Sequence, residues 1–535
     1  MSPIWKAGAS RAAFSPDEIC GAVAQVRETA YVIRNARGAV GVAIGGEMAE
    51  ANGSRARDES CSLIGVLPPL YPEWLGDRTF SELHRVRFPY VVGEMATGIA
   101  TTEMVIAAAR NGLLGFYGSA GLTPERVERA IDEIEAALAP DQLSWGANLI
   151  HSPNEPAMED AMVDLFLRRG VARVSASAFM ALSPAIVRYA ASGLQIDSAG
   201  EIYRSRYVFA KVSRPEVAAH FMAPPPAEVL SLLLSRRQIT PAEARLAARI
   251  PVAEDITAEA DSGGHTDNRP LTALLPVISS LRDRLAAEHR FTRPIRIGAA
   301  GGLGTPSAVA AAFGLGAAYV LTGSINQSAC EAGTSAAVKQ MLARADLADV
   351  VMAPAADMFE LGVKVQVLKR GTLFAVRAAQ LYQIYAEHAG LDALPPAVTT
   401  WLEKEIFRAP LSEIWAKCVQ FWSQRDPRQL ERAQAHPKHE MALVFRWYLG
   451  NGSRWAITGD PERTMDYQIW CGPSMGAFNT WVRGTFLAEP AARTVAQIAF
   501  SLLEGAAIVT RAQQLRTFGA PVPARAFDYR PRPLS

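Results

Sequence analysis

The sequence predicts an α/β fold, a (β/α)8 TIM barrel with additional segments on either side. Eight short apolar runs rich in β-branched residues alternate with amphipathic helical segments over about 235 residues, and glycines follow several of these runs. The chain of 535 residues is also too long for a single hydrophobic core. A doubly wound open sheet is the alternative topology, and in both topologies ligands bind where the strands end.

The eight predicted strands follow one another at the spacing of βα units. They are Tyr90–Glu94, Leu113–Tyr117, Leu143–Ile150, Val171–Ser175, Tyr207–Val212, Ile256–Asp261, Ile295–Ala299 and Ala317–Thr322. The clearest intervening helix begins at Thr123-Pro124, because threonine is a good N-cap and proline suits the first turn. Its apolar residues recur at helical spacing from Val127 to Leu138.

Three domains are predicted along the chain. They are a lead-in segment at 1–85, the barrel at 86–330 and a mostly helical domain at 331–535. The lead-in segment contains a possible helix at Pro16–Asn35, and three consecutive prolines from Pro224 mark a helical insertion in the barrel at about 222–250.

The carboxyl-terminal domain is rich in large aromatic residues. Seven of the ten tryptophans lie between Trp401 and Trp481, so this region can bury a core of its own. Two interpretations remain open: a helical domain packed beside the barrel, or a lid that shapes a substrate pocket.

The composition argues against several classes of function. The 54 basic and 53 acidic residues nearly cancel, which gives no electrostatic reason to expect nucleic acid or a membrane surface as a partner. The beginning of the sequence lacks the apolar core of a signal peptide, and the longest apolar run, Ala308–Leu321, is shorter than the roughly 18 residues of a membrane span. We therefore expect a cytoplasmic protein. The five cysteines lack paired spacing, so we expect neither disulfides nor a metal site.

The segment Ala260–Asp267 ends the sixth predicted strand and is the first candidate for an active site. Gly263 and Gly264 carry no Cβ and allow the backbone to approach a bulky ligand. His265 then stands at the carboxyl end of a barrel strand, where such barrels keep their catalytic residues. A glycine turn followed by a surface histidine accounts for the same eight residues when they are taken alone.

Glycines also follow strands seven and eight. Gly301-Gly302 and Gly323-Ser324 lie one βα unit apart, and Thr305-Pro306 begins a helix just after the first pair. Because barrels often bind phosphate with these two loops and a helix N-terminus, we expect a phosphate site here. The alternative is that these glycines only form tight turns.

Three further positions suit a flat ring over the barrel axis. Small residues around Glu94, Met95, Ala96 and Thr97 follow strand one, and Asn148 in strand three can offer an amide to a ring edge. Lys211 interrupts the apolar fifth strand and is either exposed or paired with an anionic partner, because burying its charge alone is costly.

In their order along the chain, these segments resemble the FMN-dependent nitronate monooxygenase and enoyl-reductase superfamily of TIM barrels. Over nearly its full length the sequence is also similar to the PfaD family, the trans-acting enoyl reductases of polyunsaturated fatty acid synthases and polyketide synthases. The segments that carry this second resemblance are Gly65–Asp77, Ala210–Ala218, Trp455–Pro461 and Asp466–Pro473.

The resemblance implies a bound FMN, NADPH as hydride donor, and an enoyl thioester on an acyl carrier protein as substrate. It makes polyketide or fatty acid synthase modules the expected partners and a homodimer possible. His265 would be catalytic, either protonating the α-carbon or polarising the thioester carbonyl. The residues implied to bind the cofactor are Glu94, Met95, Ala96, Thr97, Asn148, Lys211, Asp261, Gly263, Gly264, Gly301, Gly302, Gly323 and Ser324. A nitronate monooxygenase-type flavin oxidase and a non-catalytic docking protein are the alternatives.

Overall fold

The computed structural model describes residues 3–7, 11–50, 60–153 and 155–534. Within this part, eight parallel strands close into a barrel, so the predicted fold class is confirmed. Barrel strands one to eight are Tyr90–Val92, Leu114–Tyr117, Trp145–Ile150, Arg173–Ser177, Tyr207–Val212, Asp255–Glu259, Arg296–Ala300 and Val320–Thr322. Strand eight pairs with strand one and closes the barrel, with Val320 beside Tyr90.

Helices surround the barrel and connect its strands. They are Arg78–His84, Thr102–Arg110, Pro124–Leu138, Pro156–Arg168, Pro184–Ala191, Pro215–Met222, Ala227–Ser235, Pro241–Ala247, Leu271–His289 and Pro306–Gly314. Their starting points follow from the sequence, because a threonine or serine caps several of them and proline occupies the first turn. Thr101 Oγ1, for example, accepts a hydrogen bond of 3.0 Å from Met104 N.

The lead-in segment is mainly an antiparallel sheet beside one short helix, Pro16–Val23. Its strands are Pro3–Lys6, Ala12–Ala13, Ala30–Arg34, Val40–Ile44, Glu47–Glu50 and Ser60–Leu67. The predicted helix Pro16–Asn35 is therefore wrong in its second half. Tyr31, Val32 and Ile33 favour a strand, and cross-strand pairing with Val40–Ile44 outweighs the local helical pattern.

The carboxyl-terminal region is mostly helical, as predicted. Its helices are Ala336–Ala343, Phe374–Glu387, Pro396–Trp401, Leu411–Arg425, Arg428–Ala435, Pro437–Thr458, Ser474–Val482 and Val495–Thr517. The sequence analysis missed two strands, Val350–Pro354 and Lys364–Leu368, which form a small antiparallel sheet with Gly264–His265. The two strands pair with each other as a hairpin, and the barrel loop adds the third strand that such a hairpin needs for stability.

Two hydrophobic clusters divide the carboxyl-terminal region. One lies within 353–449 and is separate from the barrel core. Helix Val495–Thr517 belongs instead to the barrel cluster and packs between Thr102–Arg110 and Pro306–Gly314. It thus takes the place of the eighth barrel helix, and residues 323–494 are inserted between it and strand eight. The predicted domain limits stay a prediction, and this packing favours assigning Val495–Thr517 to the barrel.

Helix Val495–Thr517 is long and apolar enough to cross a membrane by length and composition alone. In the fold, 83% of the most apolar 18-residue stretch of this helix is buried against other parts of the protein. Its apolar character is thus accounted for by packing in the barrel core.

A buried ion network closes the amino-terminal end of the barrel. Asp255 accepts two hydrogen bonds of 2.7 and 2.8 Å from Arg296, and its Oδ2 lies 3.0 Å from His84 Nε2. Arg173 Nε donates to His84 Nδ1 over 3.1 Å, so the proton of the neutral ring lies on Nε2. Burial opposes ionisation of Asp255, but Arg296 and His84 outweigh it and hold the pKa of Asp255 well below its usual range.

Candidate active site

A cavity of about 400 Å³ lies at the opposite end of the barrel, between the strand ends and the inserted region. Loops after strands one, four, six, seven and eight form its floor and walls. The predicted site residues that line it are Glu94, Met95, Ala96, Thr97, Lys211, Gly263, Gly264, His265, Gly301, Gly323 and Ser324. The fold thus brings these eleven residues of the sequence analysis around one space.

Three predicted residues do not line this cavity. Asn148 is buried in strand three, where its Nδ2 donates to Ser175 O and Ser177 Oγ, each over 2.9 Å. Asp261 accepts hydrogen bonds from Asn268 Nδ2 and Gln366 Nε2 over 2.9 and 2.7 Å. Gly302 is a turn residue with a φ of +72°. A direct contact of these three residues with a cofactor stays a prediction.

Lys211 has two anionic partners from the protein itself. Its Nζ lies 3.0 Å from Glu94 Oε1 and 3.3 Å from Glu259 Oε1. Burial alone would lower the pKa of Lys211, but Glu259 and Glu94 outweigh it and raise that pKa above its ordinary value. Burial also raises the pKa of Glu259, although Lys211 opposes this shift. The floor of the cavity therefore holds one ammonium group between two carboxyl groups.

Two residues at the cavity have backbone conformations that L-residues rarely adopt. Thr97 has a φ of +57° and Ala178 a φ of +61°, both in the left-handed region. Such conformations cost roughly 1–3 kcal/mol each and concentrate at ligand-binding sites. The strained turns lie after strands one and four, on two sides of the mouth of the barrel.

His265 is held at the cavity by a strand and an ion pair. Its backbone pairs with Val365 in the small sheet, and its Nε2 lies 3.3 Å from Asp357 Oδ1, a loose contact for a hydrogen bond. Burial would lower the pKa of His265, but the hydrogen bond and charge of Asp357 outweigh it and raise that pKa above its ordinary value. Asp357 thus stabilises the protonated form of the ring.

Residues on both sides of His265 fix the loop that carries it. Gln366 Nε2 donates to Asp261 Oδ1 and to Ser262 O, each over 2.7 Å. Beyond the histidine, Asp267 accepts two hydrogen bonds of 2.8 and 2.9 Å from Arg214. The pKa of Asp267 falls to about 2, chiefly because of the hydrogen bond from Arg214. The loop is therefore tied to strand five and to the inserted region.

The glycines after strands six and seven permit close backbone approach. Gly301 has a φ of +85°, and a Cβ there would lie 2.6 Å from the carbonyl carbon of Ala260. A Cβ on Gly263 would lie 2.9 Å from both Ser324 Oγ and Cys471 N. Gly263 is thus needed for packing against the segment around Cys471, a requirement that the sequence analysis did not foresee.

The loop after strand eight leaves open space at its glycine, and the loop after strand seven leads into a capped helix. A Cβ on Gly323 would meet no atom within 4 Å among the described residues. Thr305 caps helix Pro306–Gly314, with its Oγ1 accepting from Ala308 N over 3.3 Å. Open space, glycine backbone and a helix N-terminus together suit an anionic group such as a phosphate.

A second, smaller cavity of about 170 Å³ adjoins the first, and both are lined by Ala120, Gly121, Ile150 and Asp357. His151 lines this second cavity, with its Nδ1 lying 3.0 Å from Glu159 Oε2. Arg425 and Arg446 from the inserted helices complete its wall. The ligand space therefore extends from the barrel mouth beneath the inserted region.

The sequence analysis missed Glu259, Asp357 and Gln366. Glu259 could have been found, because Lys211 pairs with Thr257 in the register of strands five and six, and residues two apart share a face of a strand. Gln366 belongs to a sheet that connects distant parts of the chain, and Asp357 lies in the connection between two of its strands. No local sequence pattern predicts such pairing.

The arrangement fits the flavin mononucleotide that the resemblance implies. The glycine loops and the helix after strand seven can hold a phosphate, and the polar floor around Lys211 can meet the edge of a ring. By fold and site, the protein is a TIM barrel with its ligand site at the mouth of the barrel and an inserted region above it.

Comparison with known families agrees with this class. Residues 78–394 match the nitronate monooxygenase family, and residues 388–467 match the inserted helical domain of [acyl-carrier-protein] S-malonyltransferase. The chain belongs to the nitronate monooxygenase family. The helical match falls within the inserted region above the barrel.

Among its relatives, a polyunsaturated fatty acid synthase component of Thraustochytrium is 45% identical over 83% of this chain and 30% of that protein. The polyketide biosynthesis protein PksE of Bacillus subtilis is 42% identical over 82% of this chain and 56% of that protein. The chain thus spans less than two thirds of these relatives. The enoyl reductase domain of MlnA, from the macrolactin biosynthesis cluster of Bacillus amyloliquefaciens, is 38% identical, with a TM-score of 0.78 over 83% of this chain and 98% of that chain.

Proposed function

We propose that the protein is a trans-acting enoyl reductase that uses FMN and NADPH. Its substrates are enoyl thioesters carried on an acyl carrier protein in polyketide or polyunsaturated fatty acid biosynthesis. The likeness to the MlnA enoyl reductase domain supports this reaction, since it extends over 98% of that chain. The names of the larger relatives support synthase modules as partners.

One observation carries the proposal: His265 and Asp357 line the same cavity as the glycine loops. Adding hydride to the β-carbon of an enoyl thioester builds negative charge on the α-carbon and the thioester oxygen. A protonated histidine at this place can donate its proton to the α-carbon or polarise the oxygen. Asp357 stabilises the protonated form of the ring and orients it.

We assign the cofactor to the floor and the glycine loops. When bound, FMN would supply the hydride-transfer chemistry between NADPH and the β-carbon. Gly301, Gly323 and Ser324 would hold its phosphate, and Met95, Ala96 and Thr97 would contact its ring. The inserted region, through Asp357 and the residues near Trp470, excludes water from the cavity.

The test is reduction of an enoyl group on a purified carrier protein. The protein is reconstituted with FMN, and NADPH oxidation is followed with an enoyl-loaded carrier and, as control, the saturated acyl-loaded carrier. We expect consumption only with the enoyl carrier, and mass spectrometry of the carrier should show the gain of two hydrogens. The same NADPH consumption with both carriers would contradict the proposal.

The family match keeps a second reaction in view, a nitronate monooxygenase activity with the same flavin and with His265 as a base. Oxygen uptake driven by a nitronate, without a response to enoyl carrier, would establish that alternative. A protein without flavin absorbance, even after FMN is added, would instead be a non-catalytic docking protein. The homodimer and the cytoplasmic location stay predictions.

A further inference from the structure

One carboxylate oxygen at the floor of the cavity points to a particular ligand group. We propose that Glu94 Oε2 accepts a hydrogen bond from the imide N–H of the flavin ring, beside Lys211, which donates to the adjacent ring carbonyl. This inference rests on the proposed FMN cofactor and specifies how its ring is recognised.

Glu94 lines the cavity, and its Oε2 is buried. The side chain of Glu94 is only 3% exposed, and its Oε1 lies 3.0 Å from Lys211 Nζ. Among the described residues, Oε2 has no hydrogen-bond partner. A buried carboxylate oxygen without a donor is costly, so a donor supplied by a ligand gains the full benefit of the interaction.

Glu259, on the other side of Lys211, provides the contrast. Its Oε1 accepts a hydrogen bond of 3.0 Å from Ser262 Oγ and also lies 3.3 Å from Lys211 Nζ. The protein thus supplies Glu259 with a hydroxyl donor in addition to the shared ammonium. Glu94 has the shared ammonium alone, and the cavity lies beside it.

The chemistry of the ligand follows from this pair of side chains. Lys211 donates hydrogen bonds and Glu94 accepts them. A ligand group that complements this pair therefore has a hydrogen-bond acceptor next to a donor. The imide edge of a flavin ring has this pattern, because its N–H lies between two carbonyl groups. A thioester lacks an N–H at the reacting end, and a phosphate would be repelled by the carboxylate.

The test compares FMN with its N3-methyl derivative, which lacks the imide proton. Dissociation constants are measured by flavin fluorescence for the unaltered protein, for Glu94→Gln and, as matched control, for Glu216→Gln, at an exposed glutamate on helix Pro215–Met222. A hydrogen bond to a charged group is worth about 1.5–3 kcal/mol, so the unaltered protein should bind FMN about 10- to 150-fold more tightly than the derivative.

In Glu94→Gln the amide oxygen stays with Lys211 and the amide NH2 faces the ring N–H. FMN binding should therefore weaken by about tenfold or more, while binding of the N3-methyl derivative changes little. Because glutamine and glutamate have the same size, steric exclusion of the methyl group persists in this variant and cannot mimic the result. Glu216→Gln should keep the full preference for FMN.

Equal binding of the two flavins by the unaltered protein would overturn the inference and leave the proposed function intact. An unchanged preference in Glu94→Gln would overturn it as well. If the unaltered protein did not bind FMN at all, both the proposed function and this inference would be wrong. A further readout independent of variant folding is the N3 proton in the NMR spectrum of bound ¹⁵N-labelled FMN: a downfield, slowly exchanging signal supports the inference, and rapid exchange with water overturns it.

Discussion

The two ends of the barrel use the same kinds of side chain for opposite purposes. At the amino-terminal end, Asp255, His84 and Arg296 form a closed network in which both carboxylate oxygens have partners. At the mouth, Glu94, Lys211 and Glu259 form a cluster in which one buried oxygen lacks a donor among the described residues, and the contact of His265 with Asp357 is loose.

This difference between the two ends of the barrel corresponds to a difference in role: the closed network contributes to stability, and the cluster at the mouth is available for ligand binding. A network whose groups satisfy one another stabilises the fold only as long as it stays complete, because removing one partner leaves a buried charge. A cluster with an unsatisfied group retains the capacity to bind something else. Thr97 and Ala178, both at the mouth, also have strained φ angles, of the kind that concentrates at ligand-binding sites.

The largest effect on stability is expected at the closed end. Asp255→Asn removes the charge that Arg296 and His84 share, and we expect the free energy of unfolding to fall by about 3–5 kcal/mol. Urea denaturation followed by circular dichroism measures it. Glu259→Gln, at the mouth, should cost less than about 1 kcal/mol because it relieves repulsion between two carboxylates. Equal losses in both variants would contradict the comparison.

At the mouth, His265→Ala should act on the reaction instead of the fold. Loss of a positioned proton donor lowers the rate about 10²- to 10⁴-fold, while flavin content and melting temperature should stay unchanged. Steady-state reduction of the enoyl carrier measures the rate. His220, which is exposed on helix Pro215–Met222, provides the matched control as His220→Ala. A fully active His265→Ala protein would exclude this histidine as the acid.

A smaller effect is expected at the glycine loop. Gly301→Asp places a Cβ against Ala260 and a carboxylate toward the phosphate, so the flavin-to-protein ratio after reconstitution should fall sharply. Gly316→Asp is the control, because Gly316 also has a positive φ of +92° but open space around its Cβ. Unchanged flavin content in Gly301→Asp would show that the phosphate binds elsewhere.

The smallest effect concerns pH. The pKa of His265 is raised by Asp357, so its proton is held to higher pH and activity declines as the pH rises through this pKa. Asp357→Asn removes the charge that holds this proton, so the decline should move to lower pH. The pH profile of kcat/KM measures it, and Asp267→Asn, whose partner is Arg214, should leave the decline in place. A shift to higher pH in Asp357→Asn would contradict the assignment.

Much of the barrel could be predicted because its information is local. Strand Tyr207–Val212 has the predicted limits, and the other barrel strands differ from prediction by a few residues at their ends, since short β-rich runs between capped helices leave few alternatives. The loop after strand six could be placed for the same reason, because Gly263 and His265 directly follow a strand.

What could not be predicted depends on pairing across long stretches of sequence. Lys364–Leu368 pairs with Val350–Pro354 in a hairpin and also with Gly264–His265 about a hundred positions earlier, and the second pairing brings Asp357 and Gln366 to the site. The same reason explains the error at Ala30–Arg34, whose partner strands decide its structure. The site residues on the barrel loops could thus be predicted from the sequence, and the site residues contributed by the inserted region could not.

The insertion between strand eight and helix Val495–Thr517 has a consequence for how the protein folds. During synthesis, residues 323–494 must emerge before that helix can cover the apolar side of Pro306–Gly314. At 5–20 residues per second, the incomplete barrel is exposed for on the order of ten seconds or more. During this time the nascent chain exposes apolar surface of the kind that chaperones bind. A chain that ended within the insertion would lack the last barrel helix and would be prone to aggregate.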